Sequence, residues 1–399
     1  MSASLPLGLP WPVSNLIPPR FDELKSFHAY VHIPFCEFRC GYCDFNTYTA
    51  KEIGGLSQSS FHESLITEID ASAKILENSG YPKRGLSTLF FGGGTPSLFT
   101  SNQIELIMAS LRDHYGFLPD IEITLEANPE SASPQYLEQL AAIGVNRISL
   151  GVQSFDPKVL ETLERVHDPD KVGPILKAAA ELGLESSLDL IYGAPNESLD
   201  SWKNTVEIAA SMGTKHVSAY SLIVEPGTKL ARQIKVGELP ETDDDLDAEK
   251  FEIADSIFQA NGLPWYEVAN WGKPSQHNHA YWSSADWWGF GPGAHSHLSG
   301  NRFWNTKHPL SYQKQLANGS PVAGIEYIDA RTNLEERLML ELRTSTGIPA
   351  NVLAELGILD STIKPFILDG SLKIDNQNLA VTAAGRLFVD RIVLQLLTN

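Results

Sequence analysis

Between residues 28 and 222 the hydrophobic positions switch repeatedly between two rhythms. Short runs rich in β-branched and aromatic residues, His28–Phe35, Leu86–Phe91, Ile121–Leu125, Arg147–Val152, Ser186–Tyr192 and His216–Leu222, have the length and texture of strands. Between them lie longer stretches with apolar residues three and four apart. In Phe61–Leu76 the stripe is Phe61, Leu65, Ile66, Ile69 and Leu76; in Gln103–Tyr115 it is Ile104, Leu106, Ile107 and Leu111. Ser133 and Pro134 open a further helix that Gly144 stops, a polar cap and proline at the start and glycine at the end. Pro157–Arg165, Lys171–Leu182 and Leu199–Met212 complete the series. About six strand–helix units with short connections imply a parallel sheet with its helices outside.

Glycines and polar residues gather just after these strands, at Cys36–Cys43, Gly92–Thr95, Glu126–Asn128, Gln153 and Asp189–Gly193. In a (β/α) barrel that end of the sheet carries the chemistry, so residues distant in sequence are expected around one mouth. The expected fold class is α/β with a partial (β/α)6 barrel. A doubly wound open sheet is the competing architecture, disfavoured because no dinucleotide fingerprint follows the strands.

The second half has a different texture. Thr242–Asp245 begins a helix running to about Ala260, its acidic run read as a solvated first turn that suits the helix dipole. Six of the eight tryptophans, Trp265, Trp271, Trp282, Trp287, Trp288 and Trp304, then crowd together with five histidines between His277 and His308. From about Ile328, helical segments at Leu334–Arg343, Ala350–Leu356 and Ser361–Leu368 precede two strand-like pieces, Leu372–Ile374 and Leu379–Val381, and a last helix from Thr382. This pattern predicts a small winged-helix-like α+β unit used for interaction or as a lid. The expected organisation is a flexible, proline-rich extension over residues 1–25, a barrel with an aromatic and histidine-rich extension over 26–310, and the small unit over 311–399.

Charge narrows the partners. With 30 Lys+Arg against 49 Asp+Glu the net charge is −19, which argues against nucleic acid or anionic lipid as the main partner. No run of about 18 apolar residues suggests a membrane span. The first residues lack the basic-then-apolar build of a signal peptide. The chain has three cysteines, an odd number packed into one loop, so a disulfide framework is not expected and a reducing cytoplasm is.

Those cysteines, Cys36, Cys40 and Cys43, are spaced C-x3-C-x2-C. Three thiolates this close, with no fourth in the chain, suit an iron–sulfur cluster that leaves one iron without a protein ligand. A structural zinc asks for four ligands, and the nearest histidine, His32, precedes the loop in an alternating strand. Unrelated buried thiols would not gather within eight residues.

The stretch from Tyr30 through His32, Pro34 and Phe35 to Cys36, Cys40, Tyr42 and Cys43 resembles the radical S-adenosylmethionine superfamily. There the amino and carboxylate groups of the methionine moiety chelate the open iron. Gly92-Gly93-Gly94-Thr95-Pro96 is similar to that superfamily's second motif. Glycines let backbone amides approach a ligand closely, and Thr95 adds a hydroxyl. Glu126 in Leu-Glu-Ala-Asn-Pro, Gln153 in Gly-Val-Gln-Ser-Phe, Arg165, and Asp189 in Asp-Leu-Ile-Tyr-Gly-Ala-Pro match the coproporphyrinogen-dehydrogenase-like branch. The resemblance implies a 4Fe–4S cluster on Cys36, Cys40 and Cys43. It also implies S-adenosylmethionine among Tyr30, Tyr42, Gly93, Gly94, Thr95, Glu126, Gln153, Arg165 and Asp189.

Within the branch, the oxygen-independent coproporphyrinogen III oxidases carry a further cysteine two positions after the third. This chain has Phe45 there. It also has His277-Asn278-His279-Ala280-Tyr281-Trp282, similar to the H-N-x-x-Y-W haem-binding motif of the branch's haem chaperones. The resemblance then implies haem on His277, with His279 and His295 as alternates, a neutral imidazole being a good axial ligand. The structural alternatives are a loop histidine bonded to backbone and tryptophans that simply fill the core. No C-x-x-C-H occurs, so haem is not expected to be held through cysteine thioethers. The expected partners are haem, haem-free acceptor proteins of the respiratory kind, which a membrane could hold, and an electron donor for the cluster. Radical oxidative decarboxylation of coproporphyrinogen III is the rival activity, with a purely structural adaptor behind it.

Overall fold

A computed structural model describes residues 8–21, 25–49 and 56–398. The predicted alternation is present from β1 onward. Strand β1 (Phe27–Ile33) leads through the cysteine loop to α1 (Phe61–Asn78), followed by β2 (Leu86–Gly93), α2 (Ser101–Tyr115), β3 (Phe117–Ala127) and α3 (Pro134–Ala142). Next come β4 (Arg147–Gln153), α4 (Pro157–Thr162), α5 (Val172–Glu181), β5 (Glu185–Tyr192), α6 (Leu199–Ser211) and β6 (His216–Ser221). These six strands pair in chain order and all run parallel.

Helix α7 (Lys229–Lys235) and helix α8 (Asp244–Ala260) leave the last parallel strand. Asp243 caps α8 by accepting from the amides of Asp245 and Leu246, so the acidic run is a helix start, as read. The aromatic region, for which the sequence suggested no elements, is built of β7 (Trp265–Glu267), β8 (Asn270–Gly272), α9 (Gln276–Trp282), β9 (Asp286–Phe290), β10 (His295–Leu298) and β11 (Asn301–Asn305). Helix α10 (Pro309–Ala317) and β12 (Val322–Tyr327) follow. Together they extend the sheet to 12 strands in the order β12-β11-β10-β9-β1-β2-β3-β4-β5-β6-β8-β7. Its two ends do not pair with each other, so the barrel is partial.

Residues alternate across the six parallel strands, with register shifts at Phe27/His28, Leu86/Thr88 and Gly151/Gln153. Phe27, Ala29, Val31 and Ile33 of β1, Leu89 and Phe91 of β2, and Ile148, Leu150 and Val152 of β4 are buried in the main core with the helices. The other face carries His28, Tyr30 and His32, then Thr88, then Glu122, Thr124 and Glu126. It continues through Arg147, Ser149 and Gln153 to Ser187 and Asp189, and ends at His216 and Ser218. Register places Ser149 beside Ser187 and Glu126 beside Ser149, so these side chains form a polar interior.

The rest is α11 (Ala330–Glu341), β13 (Ile348–Pro349), α12 (Ala350–Leu356), α13 (Asp360–Leu368), β14 (Leu372–Asp375), β15 (Asn378–Val381) and α14 (Val389–Thr398). Its three strands, in the order β13-β15-β14, form the small ribbon expected beside helices. This unit is fastened to the barrel. Arg386 reaches Asp255 of α8 at 2.7 Å and lies over the Trp265 ring, while Thr344 bridges to Glu267.

Two expectations on domain limits are corrected. The large sheet runs through β12 to Tyr327, so the small unit starts near 328 rather than 311, because Ile325 and Phe303 are core residues of the large one. Residues 8–21 are not a loose extension. Leu9 exchanges backbone hydrogen bonds with Ile325, Trp11 packs on Phe303, and Ile17 is fully buried. Residues 1–7 and 22–24 of that proline-rich stretch lie outside the described residues.

Candidate functional site

The chain leaves β1 at Phe35 and returns at Tyr48, where the two residues bridge: Cys36 N–H donates to Tyr48 C=O at 3.0 Å and Tyr48 N–H to Pro34 C=O at 2.8 Å. The loop so closed holds all three cysteines, each half-buried. Thr95 Oγ1 lies 3.8 Å from Cys36 Sγ, Thr47 Oγ1 3.9 Å from Cys43 Sγ, and Arg165 Nη1 3.5 Å from Cys40 Sγ. Burial pushes the Cys36 thiol up to about 11 and raises that of Cys43 too. Sulfurs in such surroundings become thiolates only when a strong cationic partner compensates, which iron does. Among the described residues no three His, Cys, Asp or Glu side chains form a single-ion site. A cubane asks for a different arrangement, since each thiolate takes its own iron.

The glycine run serves this loop. A Cβ on Gly94 would sit 2.5 Å from Phe35 O and 3.0 Å from Cys36 Sγ, and Gly93 has a φ of +114° with His32 against it. The amides of this run do not face a ligand, as the sequence suggested. Gly94 N–H donates to Ile33 O and Thr95 N–H to Phe35 O, both at 2.8 Å, while Gly93 N–H donates to Glu126 Oε2 at 3.2 Å. Their job is to clamp the cysteine loop onto the end of β2.

Behind the loop opens a cavity of about 700 Å3. Every expected nucleotide-side residue, Tyr30, Tyr42, Gly93, Gly94, Thr95, Glu126, Gln153, Arg165 and Asp189, lines it together with the three cysteines. Tyr30 is held by a 3.0 Å bond between its hydroxyl and His32 Nδ1. Helix α4 ends at Thr162, short of the predicted Arg165; the Nη2 of Arg165 donates to Asn128 Oδ1 and Gly151 O, both at 2.9 Å. Gln153, at the end of β4, has a φ of +60°, which costs a non-glycine residue roughly 1 kcal/mol and collects at ligand sites. Its buried Oε1 and Arg165 Nε have no hydrogen-bond partner. Two orphaned polar atoms on one wall, beside a strained backbone, fit a polar ligand there.

The opposing carboxyls share the barrel interior. Burial, and then the charge of Asp189, pushes Glu126 up to about 8; burial also raises Asp189, which accepts from Ser149 Oγ at 2.8 Å. Sequence reasoning missed the cation between them. Arg147 is buried, and its partners are Ser187 Oγ at 2.8 Å, Thr124 Oγ1 at 3.5 Å and the His216 ring at 2.6 Å. Burial and that guanidinium push His216 down to about 3, so it accepts from Arg147 as a neutral ring. The signal was present: Arg147, Ser149, Gly151 and Gln153 fall on one face of a strand at period two.

His277 is buried on helix α9 and lines the cavity. Only 2% of the residue is exposed, and its ring stacks on Phe90 with ring centres 5.0 Å apart. Nδ1 is 2.6 Å from Thr88 Oγ1, and Nε2 is 2.8 Å from the Tyr281 hydroxyl. Both ring nitrogens are thus bonded inside the protein, each to a hydroxyl. Burial, then the His28 and Arg147 charges, hold this imidazole neutral. Within the H-N-x-x-Y pattern Tyr281 one turn on meets His277, and Asn278 Nδ2 donates to Glu267 Oε1 at 3.0 Å and Tyr266 OH at 3.1 Å. Of the alternates, His279 and His295 are both exposed.

A parallel partial barrel with three cysteines at its mouth and a polar nucleotide-sized cavity behind them defines the class. The profile of the Radical SAM superfamily matches residues 30–209, and that of the HemN C-terminal domain matches residues 328–388. The chain is 42% identical to the haem chaperone HemW of Mycobacterium tuberculosis, across 94% of this chain and 95% of that one. It is 33% identical to the HemW of Bacillus subtilis, across 91% and 97%, and 31% to that of Escherichia coli, across 93% and 98%. Among solved structures, the coproporphyrinogen III oxidase HemN of Escherichia coli superposes with a TM-score of 0.78 at 24% identity, over 94% of this chain and 91% of that one, a likeness of fold. The chain is thus a haem-related radical SAM protein, and it belongs to the HemW family.

Proposed function

We propose that this protein is a haem carrier that holds a 4Fe–4S cluster on Cys36, Cys40 and Cys43, binds S-adenosylmethionine in the cavity behind them, and passes haem to haem-free acceptor proteins, respiratory enzymes among them. The observation that carries the reading is the convergence of three cysteines from one loop and nine nucleotide-side residues from five strands and their loops on one 700 Å3 cavity, in a chain of the HemW family. Bound there, the cluster and S-adenosylmethionine supply one-electron chemistry at a sulfonium. The chain's own residues bind and orient. Arg165 and Thr95 place hydrogen-bond donors beside the thiolates and soften their charge. Glu126 and Asp189 offer acceptors to hydroxyl and ammonium groups, and Gln153 has an unused carbonyl oxygen for an N–H or O–H. The polar barrel face keeps these groups in register.

A reducing compartment and an electron donor follow from the cluster. The test is transfer itself. Cluster-loaded protein carrying haem, mixed with a haem-free acceptor, is expected to lose its Soret band as the acceptor gains one, and to leave added coproporphyrinogen III unchanged. Production of protoporphyrinogen IX with consumption of S-adenosylmethionine would reverse the reading in favour of an oxidase.

A further inference from the structure

Two of the cysteine sulfurs receive a hydrogen bond from outside their own loop, and the two donors are tied to each other. Thr95 Oγ1 donates to Cys36 Sγ at 3.8 Å, and Arg165 Nη1 donates to Cys40 Sγ at 3.5 Å. Between the donors stands Asn128, just past the end of β3. Its Oδ1 accepts from Arg165 Nη2 at 2.9 Å, and its Nδ2 donates to Thr95 Oγ1 at 3.3 Å. One chain of bonds therefore runs from Cys40 through Arg165, Asn128 and Thr95 to Cys36. Asn128 is half-buried, and the turn that follows it fixes its backbone. Its carbonyl accepts from the Ser131 and Ala132 amides, both at 3.0 Å, and its N–H donates to Ser131 Oγ at 3.3 Å. A side-chain amide accepts at one atom and donates at the other, and this link needs both. Accepting orients the guanidinium. Donating leaves the Thr95 hydroxyl its own hydrogen for the sulfur.

We propose that Asn128 is a positioning residue that sets the reduction potential of the 4Fe–4S cluster, by holding the Thr95 and Arg165 donors onto two of its thiolates. This rests on the cluster reading above and assigns it a control residue. Asn128 touches neither sulfur and acts through the two donors. Reduction adds an electron whose charge spreads onto the sulfurs. Donors placed there stabilise the reduced form more than the oxidised one and raise the potential. Arg165 brings a full positive charge as well as a hydrogen bond. Linked hydrogen bonds polarise one another, so loss of the link weakens both contacts. An aspartate at this position keeps the shape and reverses the effect. Facing Thr95 with an oxygen, it draws the hydroxyl hydrogen away from Cys36, and its charge offsets that of Arg165 beside Cys40.

The test is a dithionite titration of anaerobically reconstituted protein without S-adenosylmethionine, following the paramagnetic signal of the reduced cluster against potential. Asn128→Asp is expected to disfavour reduction at least tenfold, a fall of about 59 mV in the midpoint for one electron, with iron content unchanged. Asn128→Ala unlinks the donors without adding charge and is expected to lower the midpoint by less. In a Thr95→Val background the Asn128→Ala effect is expected to shrink, since one of the donors it acts through is gone. An unchanged midpoint in Asn128→Asp with the cluster intact overturns the link and leaves the cluster reading standing. So does an Asn128→Ala shift that Thr95→Val leaves undiminished. If Asn128→Asp fails to assemble a cluster, Asn128→Ala decides the matter; failure of both makes Asn128 a structural residue and overturns its control of the potential. Absence of a 4Fe–4S signal in the unaltered protein overturns both readings.

Discussion

Gly94 shows how tightly the cysteine loop is fitted at the scale of single residues. A methyl group there would press on Phe35 O at 2.5 Å, a backbone atom that cannot swing aside. Gly94→Ala is therefore expected to cost about 1–3 kcal/mol, as overpacking does, and to lower cluster content. Iron analysis and a urea unfolding curve read the two effects. Glu126 gives a pH signature. Its carboxyl is raised from the ordinary 4.5 to about 8, so between those values the folded protein holds a proton that the unfolded chain has released. Stability of the ligand-free protein then falls as pH rises from about 4.5 to 8, and Glu126→Gln removes that part of the slope. Unfolding midpoints across that range, for both proteins, check it. The ligand-side residues were legible because they follow strands in recognisable motifs. Arg147 and His216 were not, since a buried polar residue in a strand looks like a surface one until the inner face is known to be polar.

At the scale of elements, the six parallel strands were legible because period-two and helical apolar spacing alternate with clear stops. The strands of the aromatic region were not. β7 and β8 are three residues each, too short for a period to register, and β9 is buried on both faces. Helix α9 was hidden for the same reason, and its placement depends on a distant residue. Glu122 of β3 accepts from Ser275 Oγ at 3.1 Å and from the Gln276 and His277 amides, both at 3.0 Å. One carboxylate so satisfies the free amides at the start of α9 and suits that end of the helix dipole. Glu122→Ala leaves the buried Ser275 and His277 donors without their acceptor and is expected to cost about 1–3 kcal/mol. Equilibrium unfolding measures the loss, and amide exchange in residues 276–282 should quicken more than in α2, which keeps its Thr100–Gln103 capping box.

Across the whole molecule, one hydrophobic core runs from Ile17 to Leu396 and joins the barrel to the small C-terminal unit. The N-terminal segment belongs to it. Proline richness reads as looseness in a sequence, but prolines equally suit an extended strap that forms few regular hydrogen bonds. Here the strap lies along β12 through Leu9 and seals the sheet with Trp11 and Ile17. Deleting residues 1–21 is expected to lower the unfolding midpoint and expose β12 to exchange, which a differential exchange experiment reads directly. No helix among the described residues is long and apolar enough to cross a membrane. The strap, the sheet edges and the C-terminal unit all brace a barrel whose polar interior opens at the cysteine loop.

That opening carries the central claim, a cluster on three cysteines with one iron left for S-adenosylmethionine. The most direct measurement is the electron paramagnetic resonance spectrum of the anaerobically reconstituted, dithionite-reduced protein with and without S-adenosylmethionine. The account predicts a reduced 4Fe–4S signal whose g-values shift when S-adenosylmethionine is added, and no such signal in Cys40→Ala. A signal that S-adenosylmethionine leaves unchanged, or that survives the loss of Cys40, contradicts it.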